Sequence, residues 1–156
     1  MKKFHCLLLV WMLLITTSAI AGEFVFKDMK GNEQRLSDYK GKWVLVNFWA
    51  TWCPPCLDEM PDLVDMHNAR NKKDFVVIGV AMSSARDAVV ALVDQLEVTY
   101  PIVMGDYQMA AQVGKVPALP TSYLYDPTGK LVSYQTGAVT REAIENYIRS
   151  KTISAK

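Results

Sequence analysis

Apolar residues come in blocks along this chain, and the two densest lie in its first half. Trp43 to Ala50 (WVLVNFWA) and Phe75 to Met82 (FVVIGVAM) are short, rich in Val and aromatics, and bounded by polar stretches. Each predicts a strand buried on both faces. Between them, Pro54 to Asn71 predicts a helix, with Pro61 expected to kink it. Ala85 to Glu97 puts Ala88, Leu92 and Leu96 on one stripe with Val89 and Val93 beside it, which is helical spacing. Glu23 to Lys27 reads as a short leading strand, and Leu36 to Tyr39 as a helical turn closed by Gly41. Thr99 to Val103 is an edge strand or a loop, and Tyr107 to Val113 a short helix. Thr121 to Tyr125 and Leu131 to Thr136 flank the turn sequence Asp126-Pro127-Thr128-Gly129, which predicts a hairpin. Arg141 to Ser150 closes the chain as an amphipathic helix.

Strand, helix, strand, helix, then hairpin and helix is an α/β order. It predicts a mixed central sheet, part parallel and part antiparallel, with helices on both faces. A thioredoxin-like fold has this layout, and so do other small α/β sandwiches. The 156 residues suit one domain, with no repeat and no linker long enough to divide it.

The start of the chain has a different character. Met1-Lys2-Lys3-Phe4-His5 is basic, Cys6 to Ile15 is a run of ten apolar residues, and Ala19-Ile20-Ala21 has the small-x-small form of a cleavage site. This three-part grammar predicts an export signal over residues 1–21, leaving a domain over 22–156 in the bacterial periplasm. A retained membrane anchor is the alternative, but the apolar run is about half of what a span requires. Removing Lys2 and Lys3 takes the net charge from +1 to −1. No basic stripe points to nucleic acid.

Cleavage would remove Cys6 and leave Cys53 and Cys56 as a pair. In an oxidising compartment such a pair is either a fixed staple or a cycling centre. A staple across one helical turn closes almost no loop and stabilises little, which favours cycling. The pair stands where a buried strand gives way to a helix, and unpaired N–H groups at a helix start favour a thiolate. Position makes Cys53 the exposed nucleophile and Cys56 the more buried resolving thiol. Pro54 and Pro55 fit the first turn but supply no N–H to steady the thiolate, which inclines the pair toward a reductant. An oxidant or isomerase could use the same residues.

A non-catalytic copper carrier is a reading of another class, with Met60, Met82 and Met104 as soft ligands. His67 is the one histidine after residue 21, too few for the usual zinc set, and reads as a partly exposed helical residue. A peroxide-reducing centre with a threonine three residues before a lone cysteine is not matched, since Thr51 lies two before Cys53. Glu59 falls three residues after Cys56, on the same helical face. It is either a buried general base for Cys56 or a solvated first-turn carboxylate; spacing supports both.

Val44 to Pro61 (VLVNFWATWCPPCLDEMP) resembles the active-site segment of the TlpA/DsbE/ResA-like periplasmic thioredoxins. The likeness extends to Gly31, to Leu36–Lys42, and to Leu119-Pro120-Thr121 with Tyr123–Asp126 and Gly129. It implies a thiol–disulfide oxidoreductase needing no cofactor beyond the redox-active disulfide Cys53–Cys56. It implies that Pro120 is a cis-proline facing that disulfide, that Trp52, Leu119 and Pro120 meet the substrate, and that Glu59 is the family's buried glutamate. Asn47 stands where thioredoxin has a buried aspartate. The implied partners are exported proteins with disulfides and a membrane electron donor of DsbD type, the protein itself acting as a monomer. Thr121-Ser122 and Pro117-Ala118 depart from the family pattern beside Pro120.

Overall fold

The computed structural model describes residues 23–154. The predicted export segment, with Cys6, lies outside the described residues. Five strands form the main sheet in the order β5-β4-β3-β6-β7. They are β3 (Trp43–Trp49), β4 (Phe75–Met82), β5 (Ile102–Gly105), β6 (Thr121–Tyr125) and β7 (Leu131–Thr136). β3 pairs in parallel with β4, and β4 with β5; β3–β6 and β6–β7 are antiparallel. The sheet is therefore mixed, as expected. Its parallel half is made by helical crossovers through α1 (Pro54–Arg70) and α2 (Arg86–Gln95).

Strand alternation divides the core in two. Trp43, Leu45 and Trp49 of β3 join Val77 of β4, with Met60, Leu63 and Met66 of α1, Val89 of α2, and Ile144 and Ile148 of α4 (Arg141–Ser154). Val44, Val46 and Phe48 face the other way, with Ile78 and Val80. There they meet Phe24, Phe26 of β1 (Val25–Lys27), Leu36, and Ala110 of α3 (Tyr107–Ala110). Helices thus lie on both faces but unequally. The second face has only the single turn of α3 and a 3-10 turn, and a two-stranded hairpin of β1 with β2 (Glu33–Arg35) completes its cover.

Several details differ from the sequence expectations. β2 went unforeseen because only Gln34 of its three residues is buried, and Gln34 is held by a bond from its amide to Asp28 Oδ2 (2.9 Å) rather than by apolar contact. β5 begins at Ile102, after Pro101, which has no N–H for a ladder. On α2 the buried line runs through Val89, with Leu92 and Leu96 half-buried, while Ala88 is exposed. α3 stops at Ala110, three residues before the expected end. α1 continues through Pro61, forgoing one ladder bond there. The hairpin turn is closed by Asp126, whose Oδ1 accepts the N–H groups of Thr128 and Lys130, and by Gly129 at φ +85°.

Candidate active site at the start of α1

Cys53 caps α1 with an extended backbone, Pro54 and Pro55 occupy its first positions, and Cys56 completes the turn. The Cys56 N–H donates to the Cys53 carbonyl at 3.0 Å. A disulfide joins the two, their Cα atoms 5.3 Å apart. Cys53 is less exposed than its position implied, at 5 % against 0 % for Cys56, since both belong to the first core cluster.

The other site elements gather at this end of the sheet because the strands bring them there. Trp49 at the end of β3 pairs with Ala81, so the segment after Met82 lies beside the cysteine loop. Ser84 Oγ there accepts the Thr51 N–H (3.1 Å) and donates to the Met82 carbonyl (3.0 Å). Trp52 stands out into solvent, 62 % exposed, with Nε1 donating to the Ser83 carbonyl (2.9 Å). Phe48 pairs with Thr121 on the opposite side, placing the Leu119–Pro120 segment at the same end. The Leu119–Pro120 peptide is cis. Pro120 is buried and Leu119 half-buried. Thr121 Oγ1 donates to the Ala118 carbonyl (2.7 Å), tying down the loop before it.

Glu59 lies on the inner face of α1 and is 4 % exposed, so the solvated alternative does not hold. Its Oε1 accepts from Asn47 Nδ2 and its Oε2 from the Val139 N–H, both at 2.7 Å. Burial pushes its pKa up, against the opposing pull of these two bonds. Asn47 Nδ2 also donates to Ser122 Oγ at 3.1 Å, a contact set by the pairing of Asn47 with Ser122 across β3 and β6. The sequence marks Ser122 only as a departure from the family pattern beside Pro120, and does not mark Val139 at all. A serine beside a proline loop and a backbone N–H eighty residues from Glu59 carry no local signal.

His67 is a correction. It is buried, and its Nδ1 accepts the Val77 N–H at 3.2 Å. β5 first pairs at Gly79, so Val77 has no strand partner on that side, and the imidazole takes the place of one. Burial lowers its pKa to about 4. Of the methionines considered as soft ligands, Met82 packs in the second core cluster, on the sheet face away from the cysteines. Among the described residues no group of three or more His, Cys, Asp or Glu is placed to hold a metal ion.

Fold and site together define a thioredoxin-fold thiol–disulfide oxidoreductase. The chain belongs to the AhpC/TSA family, whose model matches residues 18–134. It is 35 % identical over 136 residues to the thiol-disulfide oxidoreductase ResA of Geobacillus kaustophilus, covering 87 % of this chain and 78 % of that one. A thiol:disulfide interchange protein from Chlorobium tepidum superposes with a TM-score of 0.75 at 25 % identity, over 83 % of this chain and 93 % of the other. A secreted thiol-disulfide isomerase from Corynebacterium glutamicum does so at 0.72 and 26 %, over 80 % of each.

Proposed function

We propose that the protein is an exported reductant of disulfides in other exported proteins. The Cys53 thiolate attacks a substrate disulfide, forming a mixed disulfide and releasing one substrate thiolate. Cys56 then attacks the Cys53 sulfur, closing the Cys53–Cys56 disulfide and freeing the second substrate thiol. Glu59 takes the Cys56 proton as that thiol becomes the nucleophile. Two electrons leave the cysteine pair and enter the substrate. A membrane donor of DsbD type restores the dithiol by the reverse exchange, so no cofactor is needed.

The observation that carries this reading is the buried Glu59 carboxyl one turn beyond Cys56 on the same helical face. Pro54 and Pro55 support the reducing direction, since neither offers an N–H to a Cys53 thiolate. The cis Leu119–Pro120 peptide and exposed Trp52 form a rim suited to an extended substrate segment, with the Leu119 backbone pairing to it. Export is supported by the sequence grammar of residues 1–21 and the secreted neighbour. No helix among the described residues is long and apolar enough to cross a membrane. A monomer working on protein partners is the matching assembly.

Replacing Cys56 with serine tests the reading. The variant is expected to accumulate mixed disulfides through Cys53 that dissolve on adding dithiothreitol. A variant that traps no partner while the unmodified protein binds copper through the two thiols would replace this reading with the carrier.

A further inference from the structure

Glu59 is held by two partners of unequal freedom. The Val139 N–H at Oε2 is backbone and can only donate. A proton on Oε2 directed along the line to Val139 would face a fixed donor, so Oε1, whose partner side chain can turn, is the oxygen better placed to carry it. With the amide as it stands, that Oε1–H would meet Nδ2, donor against donor in a buried site. Asn47 Oδ1 is buried and has no hydrogen-bond partner among the described residues. A half turn of the amide exchanges its oxygen and nitrogen with almost no change of shape.

We propose that the Asn47 amide reverses when Glu59 changes protonation state, donating Nδ2–H to the carboxylate and accepting the acid's O–H at Oδ1. Ser122 follows by rotating its hydroxyl. It accepts from Nδ2 in the first state and donates to Oδ1 in the second, a two-way use that a hydroxyl allows. In the exchange the Cys56 S–H bond breaks as the Glu59 Oε1–H bond forms, leaving a thiolate and a neutral acid with no change of oxidation state. Asn47 is then a positioning residue that keeps Glu59 hydrogen-bonded both before and after it takes the proton. An aspartate there would repel the carboxylate, and a leucine would bond neither form. The catalytic meaning rests on the reading of Glu59 as base; the reversal itself requires only that Glu59 titrate.

Few titratable groups surround this spot. α1 brings Glu59 and, one turn before it, Cys56, and buried Tyr100 lies within electrostatic reach of Glu59. β3 and β6 bring Asn47 and Ser122 and the segment before α4 the Val139 N–H, α4 adds Tyr147 to the cavity that Ser122 and Val139 line, and no ion pair among the described residues includes Glu59.

The test is nuclear magnetic resonance of the oxidised protein with labelled glutamate carboxyls and asparagine amides, titrated through the Glu59 midpoint. Above the midpoint, the Asn47 amide protons should show cross-relaxation to the Glu59 and Ser122 side chains. Below it these contacts should be lost, with the midpoint of the Glu59 carboxyl itself. Glu59→Gln gives a second reading without titration. Its oxygen must take the Val139 N–H and its NH2 must face Asn47, so the reversed pattern should hold at every pH. Amide contacts that persist through the midpoint, or remain in Glu59→Gln, overturn the proposal. Reversal seen together with unslowed mixed-disulfide resolution in Glu59→Gln supports the amide movement and defeats only the base role.

Discussion

At the scale of single residues, the pKa values of two buried ionisable groups on α1 move in opposite directions, and burial drives both toward the uncharged form. Burial holds Glu59 toward its protonated form and His67 toward its neutral form. For His67 the folded value of about 4 lies below the ordinary 6.5, so the unfolded chain binds the proton first. Its contribution to stability is whole above pH 6.5 and drains away as pH falls toward 4. The full span corresponds to roughly 3 kcal/mol. Urea unfolding at pH 7 and at pH 4.5 should therefore show a loss that is smaller in His67→Gln, which can accept from Val77 without titrating. An equal loss in both proteins would mean that His67 is not the group responsible. The cysteine pair was legible in the sequence because its two-residue spacing is a local fact. The i, i+3 step left Glu59 open between a buried and a solvated place, and only the family resemblance implied its burial. The burial of His67 was not legible, since it depends on β5 starting two residues too late to pair with Val77.

At the scale of elements, the all-apolar strands and the turn at Asp126–Gly129 could be read directly, because periodicity and turn chemistry are local. β2 could not, since its place comes from Gln34 reaching back to Asp28. Gly79 shows how tightly β4 fits under its neighbours. A methyl group there would lie 2.8 Å from Ile102 Cδ1 and 2.9 Å from Tyr100 Cε2, both in the core. Gly79→Ala should cost about 1–3 kcal/mol by overpacking, measured by chemical denaturation. The same site lies across from Asn47 in the β3–β4 register, so a shift here also presses on the residue that holds Glu59. A variant as stable as the parent would show that Tyr100 and Ile102 have room to move.

On the scale of the whole molecule, the sheet assembles one working end from three separate stretches of sequence. β3 delivers the cysteine loop, β4 delivers Ser83 and Ser84 beneath Trp52, and β6 begins directly after the cis Leu119–Pro120 peptide. Antiparallel β6 is what lets Pro120 arrive at the same edge that parallel β3 and β4 leave. Strand order could be anticipated in outline from the alternation of elements, but the convergence of Val139, Ser122 and Asn47 on one carboxylate belongs to the folded chain alone. Under the function proposed above, this arrangement makes Cys53–Cys56 an electron-donating pair. Its reduction potential, measured by equilibration against a thiol–disulfide buffer, tests that most directly. A value near that of thioredoxin, about −270 mV, is the result expected of a reductant fed by a membrane donor. A value near that of DsbA, about −120 mV, would contradict the account and make the same pair an oxidant.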